Sequence, residues 1–378
     1  MDLETRTFEG TVASGLEQTA VEEVEEKFLC HDVRYDRGHV YFKLSHKEDL
    51  SKVLALRSFN HLSVVLLDKQ ELNIQTDKEA SLANIKSLVE AADWEQALLV
   101  WQTVYGRESV HCQSGDGGAV IKFRVTCSRT GTQHAFNSTE AAGALGAAVV
   151  DKFGWKVDLV NFDMEVLLSI DWRRARIGLA LTDRSLALRN LVSCGPTAMK
   201  ATIAYGLLRL CKLQDNEIVC DPLCGCGSIV LEAASCWPNC QYLVGDISEQ
   251  SVNMCCKNIS SLQSSSGTVN IQLFHWDARH LPLRDSSVDC IITDLPYGKR
   301  SGTKWQNPSL YEEVVQEVTR VLRPGGRACL VTSDKRSLYK TLRKRFLILS
   351  KVYSINVGGI FPTAFLLKRS PLVNDMPD

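Results

Sequence analysis

No stretch of this 378-residue chain stays apolar long enough to span a bilayer. The opening residues, MDLETRTFEG, are acidic and hold no apolar run of the secretory kind, so a secretory leader is not expected. Fourteen cysteines are present, yet none falls into Cys-x-x-Cys pairs or a secreted-type framework. Several, such as Cys220, Cys290 and Cys329, sit inside apparent strands and helices. Reduced thiols and a cytoplasmic or nuclear location are therefore expected. Cys224-Gly225-Cys226 and Cys255-Cys256 lack the spacing and the neighbouring histidines of a zinc site, so no metal is expected. Internal repeats and low-complexity runs are also missing. The glycines at 225 and 227 do not complete G-x-G-x-x-G, and no Walker lysine follows them, which fits neither a dinucleotide fingerprint nor a P-loop.

What is present is ordinary soluble composition, 45% hydrophobic and 23% charged, at a length that suggests two or three domains. The formal net charge of −1 by itself argues against a nucleic-acid partner, but its distribution does not. Residues 1–120 hold 12 Lys and Arg against 21 Asp and Glu, whereas residues 121–200 hold 11 against 7 and residues 201–378 hold 20 against 16. The acidic portion is segregated, which leaves the rest able to present a basic surface, although solvated helix faces produce similar asymmetry.

The pattern predicts a small α/β unit over residues 8–66. It contains a helix at Leu16–Phe28, a hairpin around Asp36-Arg37-Gly38, a helix at Leu50–Leu56 and a strand at LSVVLLD. Residues 75–101 read as helical, and residues 104–119 as a polar, Gly-rich connection. A second α/β unit follows. It has a strand at IKFRVTCSR, a helix Ser138–Phe153 capped by Ser138, and strands Val157–Asn161, Met164–Asp171 and RIGLALTD. Its basic edge is expected at Arg124, Arg129 and His134. From residue 197 helices and strands alternate, which implies a parallel sheet covered on both faces and closed by an antiparallel pair at Ile348–Val357 and Ala364–Lys368.

Strand Glu217–Cys220 runs into Asp221-Pro222-Leu223-Cys224-Gly225-Cys226-Gly227-Ser228 and then a helix, a turn whose glycines let backbone approach a ligand. Three more acids follow predicted strands: Asp246 after YLVG, Asp277 after the FHW segment, and Asp294 after CIIT. In open α/β sheets the carboxyl ends of the strands are where ligands bind. Asp246 suits both hydroxyls of a ribose and Asp277 an adenine amine; helix capping is the bland alternative for such acids. Asp294-Leu295-Pro296-Tyr297 adds chemistry. A carboxylate and the Leu295 carbonyl can accept the two protons of an exocyclic base amine, turning its lone pair out of the ring plane, while Tyr297 stacks on the base. Asp-x-Pro is also ordinary turn chemistry. The glycine loop and the four acids together fit an S-adenosylmethionine-dependent methyltransferase.

Over roughly residues 8–370 the chain resembles the THUMP-domain methyltransferases. TVASGLEQTAVEEV, FRVTCSRTG, STEAAGALGAAV, WKVDLVNFDMEVLLSI, DPLCGCG, VGDIS, HWD and TDLPYGKR carry the likeness. The resemblance implies an α/β chain of three parts: a ferredoxin-like domain at 1–103, a THUMP RNA-binding domain at 104–183, and, after a linker at 184–196, a Rossmann-like class I methyltransferase domain at 197–378 with a seven-stranded, mostly parallel sheet. It implies methylation of the 2-amino nitrogen of guanosine in the tRNA acceptor stem, near the sixth nucleotide, with the THUMP region gripping the tRNA 3′ end. It also implies a partner, a small zinc-binding activator subunit docked on the catalytic domain. Asp294, Leu295, Pro296 and Tyr297 are the catalytic residues so implied. Asp221, Pro222, Cys224, Gly225, Gly227, Asp246, Ile247, Asp277, Ala278 and Asp294 are implied for the cofactor. Arg124, Arg129, His134, Phe136, Lys299, Arg300 and Lys304 are implied for RNA. Two features depart from the family: Cys226 replaces the usual Thr of the glycine loop, and a charged insertion after residue 103 is missing. Methylation of ribosomal or small nuclear RNA is the rival enzyme reading, and a catalytically silent RNA-binding scaffold is the rival of another class.

Overall fold

The computed structural model describes residues 5–45, 48–72, 77–106, 120–132, 134–196, 198–296, 307–343 and 347–371. They form two compact units. One comprises Met1–Thr11, Val21–Leu56 and His61–Ser185; the other comprises Val12–Ala20, Arg57–Asn60 and Leu186–Asp378.

In chain order the first segment holds β1 (Thr5–Thr11), α1 (Glu17–Lys27), β2 (Cys30–Asp36), β3 (His39–Ser45) and β4 (His61–Glu71). There follow α2 (Lys78–Ala91), α3 (Trp94–Tyr105), β5 (Lys122–Thr130), α4 (Ser138–Phe153), β6 (Lys156–Val157), β7 (Met164–Asp171) and β8 (Arg174–Ala180). One eight-stranded sheet runs through all of them in the order β2-β3-β1-β4-β8-β7-β5-β6, because β4 pairs antiparallel with β8. Its core is aromatic. Phe8 stacks on Phe42 with centroids 5.5 Å apart, and Trp94, Phe123, Phe153 and Trp155 interlock at 4.6–6.0 Å.

Four local expectations need correction. The helix expected over 75–101 breaks at Ala92–Asp93, where the Asp93 carboxylate accepts the Gln96 N–H at 3.2 Å and starts a new helix. The helix expected at Leu50–Leu56 ends at Ala55 and is of the 3-10 kind. Asn137, not Ser138, caps α4, in a reciprocal capping box with Glu140. The strand expected at Val157–Asn161 stops at Val157, because the Asp158 carboxylate takes the N–H groups of Val160 and Asn161 at 3.1 and 2.8 Å and bends the chain.

The second unit carries α5 (Ala201–Cys211), β9 (Ile218–Asp221), α6 (Ser228–Cys236), β10 (Gln241–Asp246), α7 (Glu249–Ser266), β11 (Ile271–His275) and β12 (Val288–Asp294). It ends with α8 (Asn307–Val321), β13 (Leu322–Thr332), α9 (Lys335–Leu342), β14 (Leu347–Ser354) and β15 (Thr363–Arg369). The seven-stranded sheet is ordered β11-β10-β9-β12-β13-β15-β14. The first five strands of that order are mutually parallel, while β15 runs antiparallel to both β13 and β14. This is the Rossmann-like sheet expected, with its final antiparallel pair. Both faces are covered. Along β12 the side chains of Cys290 and Ile292 enter one core with Leu207 and Val230, while Val288 and Ile291 enter the other with Val314 and Phe365.

Candidate active site

β9 delivers Asp221 to the carboxyl edge of the sheet, and the chain turns through Pro222–Gly227 into α6. Gly225 and Gly227 both take left-handed backbone angles, φ 55° and 90°. A Cβ on Gly227 would sit 2.7 Å from the Cys255 sulfur, so the loop meets α7 more closely than any side chain permits. Gly245 in β10 is equally constrained, with the Trp276 ring 2.7 Å from a would-be Cβ. Trp276 stacks on Phe274 and donates its indole N–H to the Pro222 carbonyl at 3.1 Å, buttressing the loop from below.

The four acids lie at the ends of four strands that are neighbours in the sheet, β11, β10, β9 and β12. Asp246 accepts the Gly225 N–H at 3.0 Å on one oxygen and the Ser248 N–H at 2.9 Å on the other. Each oxygen keeps a lone pair for a ligand hydroxyl. Asp221 is buried, and its Oδ1 accepts the Thr293 hydroxyl at 2.7 Å and the Leu223 N–H at 3.2 Å. Burial pushes its carboxyl up to about 7; the two hydrogen bonds oppose this, and the charges of Asp246 and Asp294 add to it. A cationic ligand would relieve all three carboxylates at once.

Asp277 is already engaged. Arg279 grips both its oxygens, with Nε at 3.0 and 2.9 Å and Nη2 at 2.6 Å, and holds the carboxyl below its usual range. An adenine amine there would share Asp277 with Arg279. Ile247, 58% exposed, offers an apolar surface beside Asp246, whereas Cys224 and Ala278 are buried and shape the site from behind. At the end of β12 the Leu295 N–H donates to the Val331 carbonyl at 2.9 Å, and the Tyr311 hydroxyl donates to the Pro296 carbonyl at 2.8 Å. The backbone is thus pinned on both sides of the Leu295 carbonyl, next to Asp294. Tyr297, Lys299, Arg300 and Lys304 lie outside the described residues.

Sequence reasoning missed the supporting shell. Thr293, Trp276, Arg279 and Tyr311 are examples, and Asn258 is the clearest. Fully buried on α7, Asn258 accepts the N–H groups of Val192 and Ser193 at 2.9 and 2.8 Å. It donates to the carbonyls of Ser193 and Cys226 at 2.7 and 2.8 Å. Its amide is fully used, and it clamps the 192–193 segment to the glycine loop. Its partners lie 32 to 66 residues away, so no local pattern betrays it.

The residues implied for RNA are only partly gathered. Arg124 and Arg129 point to opposite faces of β5, since their spacing is odd. Arg124 lies 4.0 Å over the Phe162 ring and is bonded to Glu165 at 2.9 Å. Arg129 donates to His134 Nδ1 at 2.8 Å, so His134 carries its proton on Nε2 and donates it to the Trp172 carbonyl at 2.6 Å. Phe136 corrects its expected RNA-facing role: it is 3% exposed and stacks behind His134.

Residues 79–180 match the THUMP domain family, and residues 189–361 match the RMKL-like methyltransferase domain family. A Bos taurus protein named tRNA (guanine(6)-N(2))-methyltransferase THUMP3 is 36% identical over 97% of this chain and 88% of its own length. A Homo sapiens U6 snRNA (guanine-N(2))-methyltransferase, THUMPD2, is 33% identical over 57% of this chain and 41% of its own. The crystal structure of TrmN from Thermus thermophilus superposes with a TM-score of 0.78 at 26% identity, covering 96% of this chain and 99% of that one. With a relative at this identity and coverage and both domains matched in order, the chain belongs to the family of THUMP-domain tRNA (guanine-N(2))-methyltransferases.

Proposed function

We propose that this chain methylates the 2-amino group of a guanosine in the acceptor stem of tRNA, in the region of position 6, using S-adenosylmethionine. The observation that carries this reading is the row of Asp277, Asp246, Asp221 and Asp294 on four neighbouring strands, beside a pinned Leu295 carbonyl. The residues fit the cofactor. Gly225 faces open space where a Cβ would stand, which leaves room for close backbone approach, and the buried Asp221 with its acidic neighbours suits a molecule bearing a sulfonium and an ammonium. S-adenosylmethionine supplies a methyl group on a good leaving group. The protein's part is placement. Asp294 and the Leu295 carbonyl would accept the two protons of the guanine amine, which would turn the nitrogen lone pair out of the ring plane. Pro296 fixes the turn, and Tyr297 stacks on the base. Asp294 or water then takes the proton that the amine loses after attack. A guanosine within a stem must leave its duplex first, at a cost of a few kcal/mol, and contacts to distant tRNA parts offset that cost.

Residues 1–103 act, in this reading, as the ferredoxin-like part, residues 104–183 as the THUMP part that grips the RNA 3′ end through Arg124, Arg129 and His134, and residues 184–196 as the linker to the catalytic part at 197–378. Lys299, Arg300 and Lys304 meet phosphates next to the catalytic turn. A small zinc-binding activator docks on the catalytic unit. Support for it is the edge position of β11, a strand whose outer side can accept another strand. The enzyme works in the cytoplasm. Small nuclear RNA is the second substrate reading, favoured by the likeness to THUMPD2, which however covers 57% of this chain against 97% for the Bos taurus tRNA enzyme. The test is methyl transfer from labelled S-adenosylmethionine to total tRNA and to small nuclear RNA, with and without the activator, followed by nucleoside analysis. N(2)-methylguanosine in tRNA, dependent on the activator, is the expected result. Cofactor binding without product on tRNA moves the substrate elsewhere, and no cofactor binding at all would leave a silent RNA-binding protein.

A further inference from the structure

Trp172 opens the two-residue turn between β7 and β8, at φ 52°. That position of a tight hairpin favours glycine, and a bulky aromatic is strained there. Three hydrogen bonds hold the strain in place. The Trp172 N–H donates to the Thr130 carbonyl at 3.3 Å, His134 Nε2 donates to the Trp172 carbonyl at 2.6 Å, and the Leu72 N–H donates to the Arg173 carbonyl at 2.6 Å. His134 is itself fixed by Arg129 and by the buried Phe136. Strain that its surroundings over-determine is typical of functional positions.

The indole gains little packing from this arrangement. It is 59% exposed and lies over the bare backbone of Gly131, where a Cβ would be 3.5 Å from Trp172 Cδ2. Beside it Arg173 and Arg174 are exposed, and neither side chain forms a hydrogen bond or ion pair among the described residues. The turn therefore presents a flat ring beside two exposed guanidinium groups, with Arg174 across the ladder from Asp171 and Glu71. The surface is not a broad apolar patch. The other prominent exposed apolar residues nearby in sequence, Leu159 and Val160, follow β6, which pairs with Lys122–Phe123 at the opposite end of β5 from Thr130. A protein partner would want a wider apolar contact. Bases inside a duplex already stack on one another, so a protruding ring with adjacent cations suits an unpaired nucleotide.

We infer that Trp172 is a stacking platform for an unpaired RNA base, with Arg173 and Arg174 on the flanking phosphates. The inference rests on the RNA-methyltransferase reading above and adds to it a residue that neither the motifs nor the family likeness assigned.

The test uses the full chain and two probes, an unstructured single-stranded RNA of about eight nucleotides and a blunt RNA duplex. Wild type, Trp172→Ala, Trp172→Phe and Trp172→Gly are compared. Loss of one base stack predicts at least about a fivefold weaker affinity of the Ala and Gly variants for the single strand, with duplex affinity unchanged. The Phe variant keeps most of the single-strand affinity. Trp172→Gly separates binding from folding, because glycine relieves the φ strain and the variant should melt no lower than wild type. Single-strand binding by the Ala and Gly variants equal to wild type, or an equal loss on the duplex, overturns the platform. Methyl transfer to total tRNA is measured in parallel. A wild type that methylates tRNA while Trp172→Ala keeps the same KM sinks the platform alone. A wild type that transfers nothing sinks the enzyme reading, and the binding comparison still decides the platform.

Discussion

The hydroxyl of Thr293 donates a 2.7 Å hydrogen bond to Oδ1 of Asp221, and both side chains are buried at the ends of adjacent strands. Burial is the main reason that Asp221 titrates at about 7 rather than near the ordinary 3.8, and Thr293 keeps it from rising further. A cofactor with a fixed positive charge binds the ionised form better. Its affinity should therefore rise as pH goes from about 6 to about 8, with uptake of the cofactor releasing a proton. Calorimetry in two buffers of different ionisation enthalpy reads that proton directly. An affinity flat across the range would exclude Asp221 as the cofactor's partner.

The same residue makes a stability prediction of opposite sense. Because its folded pKa of about 7 lies above the ordinary 3.8, Asp221 contributes stability that is full below the lower value and is lost as pH rises through the higher one. At pH 8 the buried charge is a burden of order 1–4 kcal/mol by linkage. Asp221→Asn keeps an acceptor for Thr293 and Leu223 without the charge. Without cofactor it should melt higher than wild type at about pH 8, and the gain should shrink as pH falls below about 7 and vanish only below about pH 4, where the wild-type carboxyl is protonated in the folded and unfolded states alike. Cofactor affinity should fall in the same variant. A lower melting point at both pH values contradicts this account.

At the catalytic turn the chemistry and the scaffold can be separated. Asp294→Ala should abolish turnover, a loss of at least about a hundredfold, while cofactor and tRNA affinities stay within about threefold. Tyr311→Phe removes the donor to the Pro296 carbonyl and the partner of Thr332 without opening a cavity. It should lower kcat roughly tenfold through misplacement of the turn, with cofactor affinity unchanged. Single-turnover kinetics and cofactor titrations distinguish the two. Full turnover in Asp294→Ala removes that residue from the mechanism.

Asn258 is predicted to matter more than its lack of a ligand contact suggests. Asn258→Ala strands two N–H groups and two carbonyls that have no other described partner role in the clamp. The cost should be roughly 2–4 kcal/mol, and the loosened glycine loop should weaken cofactor binding several-fold. Asn258→Asp keeps both acceptor contacts and loses both donor contacts, so it should fail nearly as badly. Wild-type melting and cofactor affinity in either variant would show that the clamp is idle.

The strand-end acids were legible because their signal is local. A run of β-branched and apolar residues ends in a single acid, four times, and the fold then has few options for where those acids go. Register and partners were not legible. The break before Trp94 depends on Asp93 out-competing a helix that composition alone would continue. Phe136 looked like a base-stacking aromatic, yet its burial follows from a loop path that no periodicity fixes. The grip of Arg279 on Asp277 likewise needs the turn after β11 to fold back by two residues. Trp172 carried no motif at all; only its backbone angle and exposure set it apart.

Glu232 illustrates how much of the site is held from behind. It lies on α6, the helix that follows the glycine loop, with its side chain 1% exposed. Its oxygens accept Arg57 Nε at 3.0 Å, Arg189 Nε at 2.9 Å, Arg189 Nη2 at 3.1 Å and the Asn190 amide at 2.6 Å. Arg189 also donates to the carbonyls of Leu186 and Arg57. Removing the carboxylate leaves two guanidinium groups facing one another with no counter-charge, so Glu232→Ala should cost roughly 3–5 kcal/mol. Arg189→Ala should cost less, because Arg57 and Asn190 still satisfy Glu232. A double-mutant cycle between Arg57 and Glu232 isolates the pair from packing losses. If Glu232→Ala melts within a degree of wild type, the cluster contributes nothing net. If it melts much lower and the cycle shows strong coupling, the segments at 57–60 and 186–190 are integral to the cofactor-binding fold, and truncating the chain to its catalytic domain at residue 197 should yield an unstable protein.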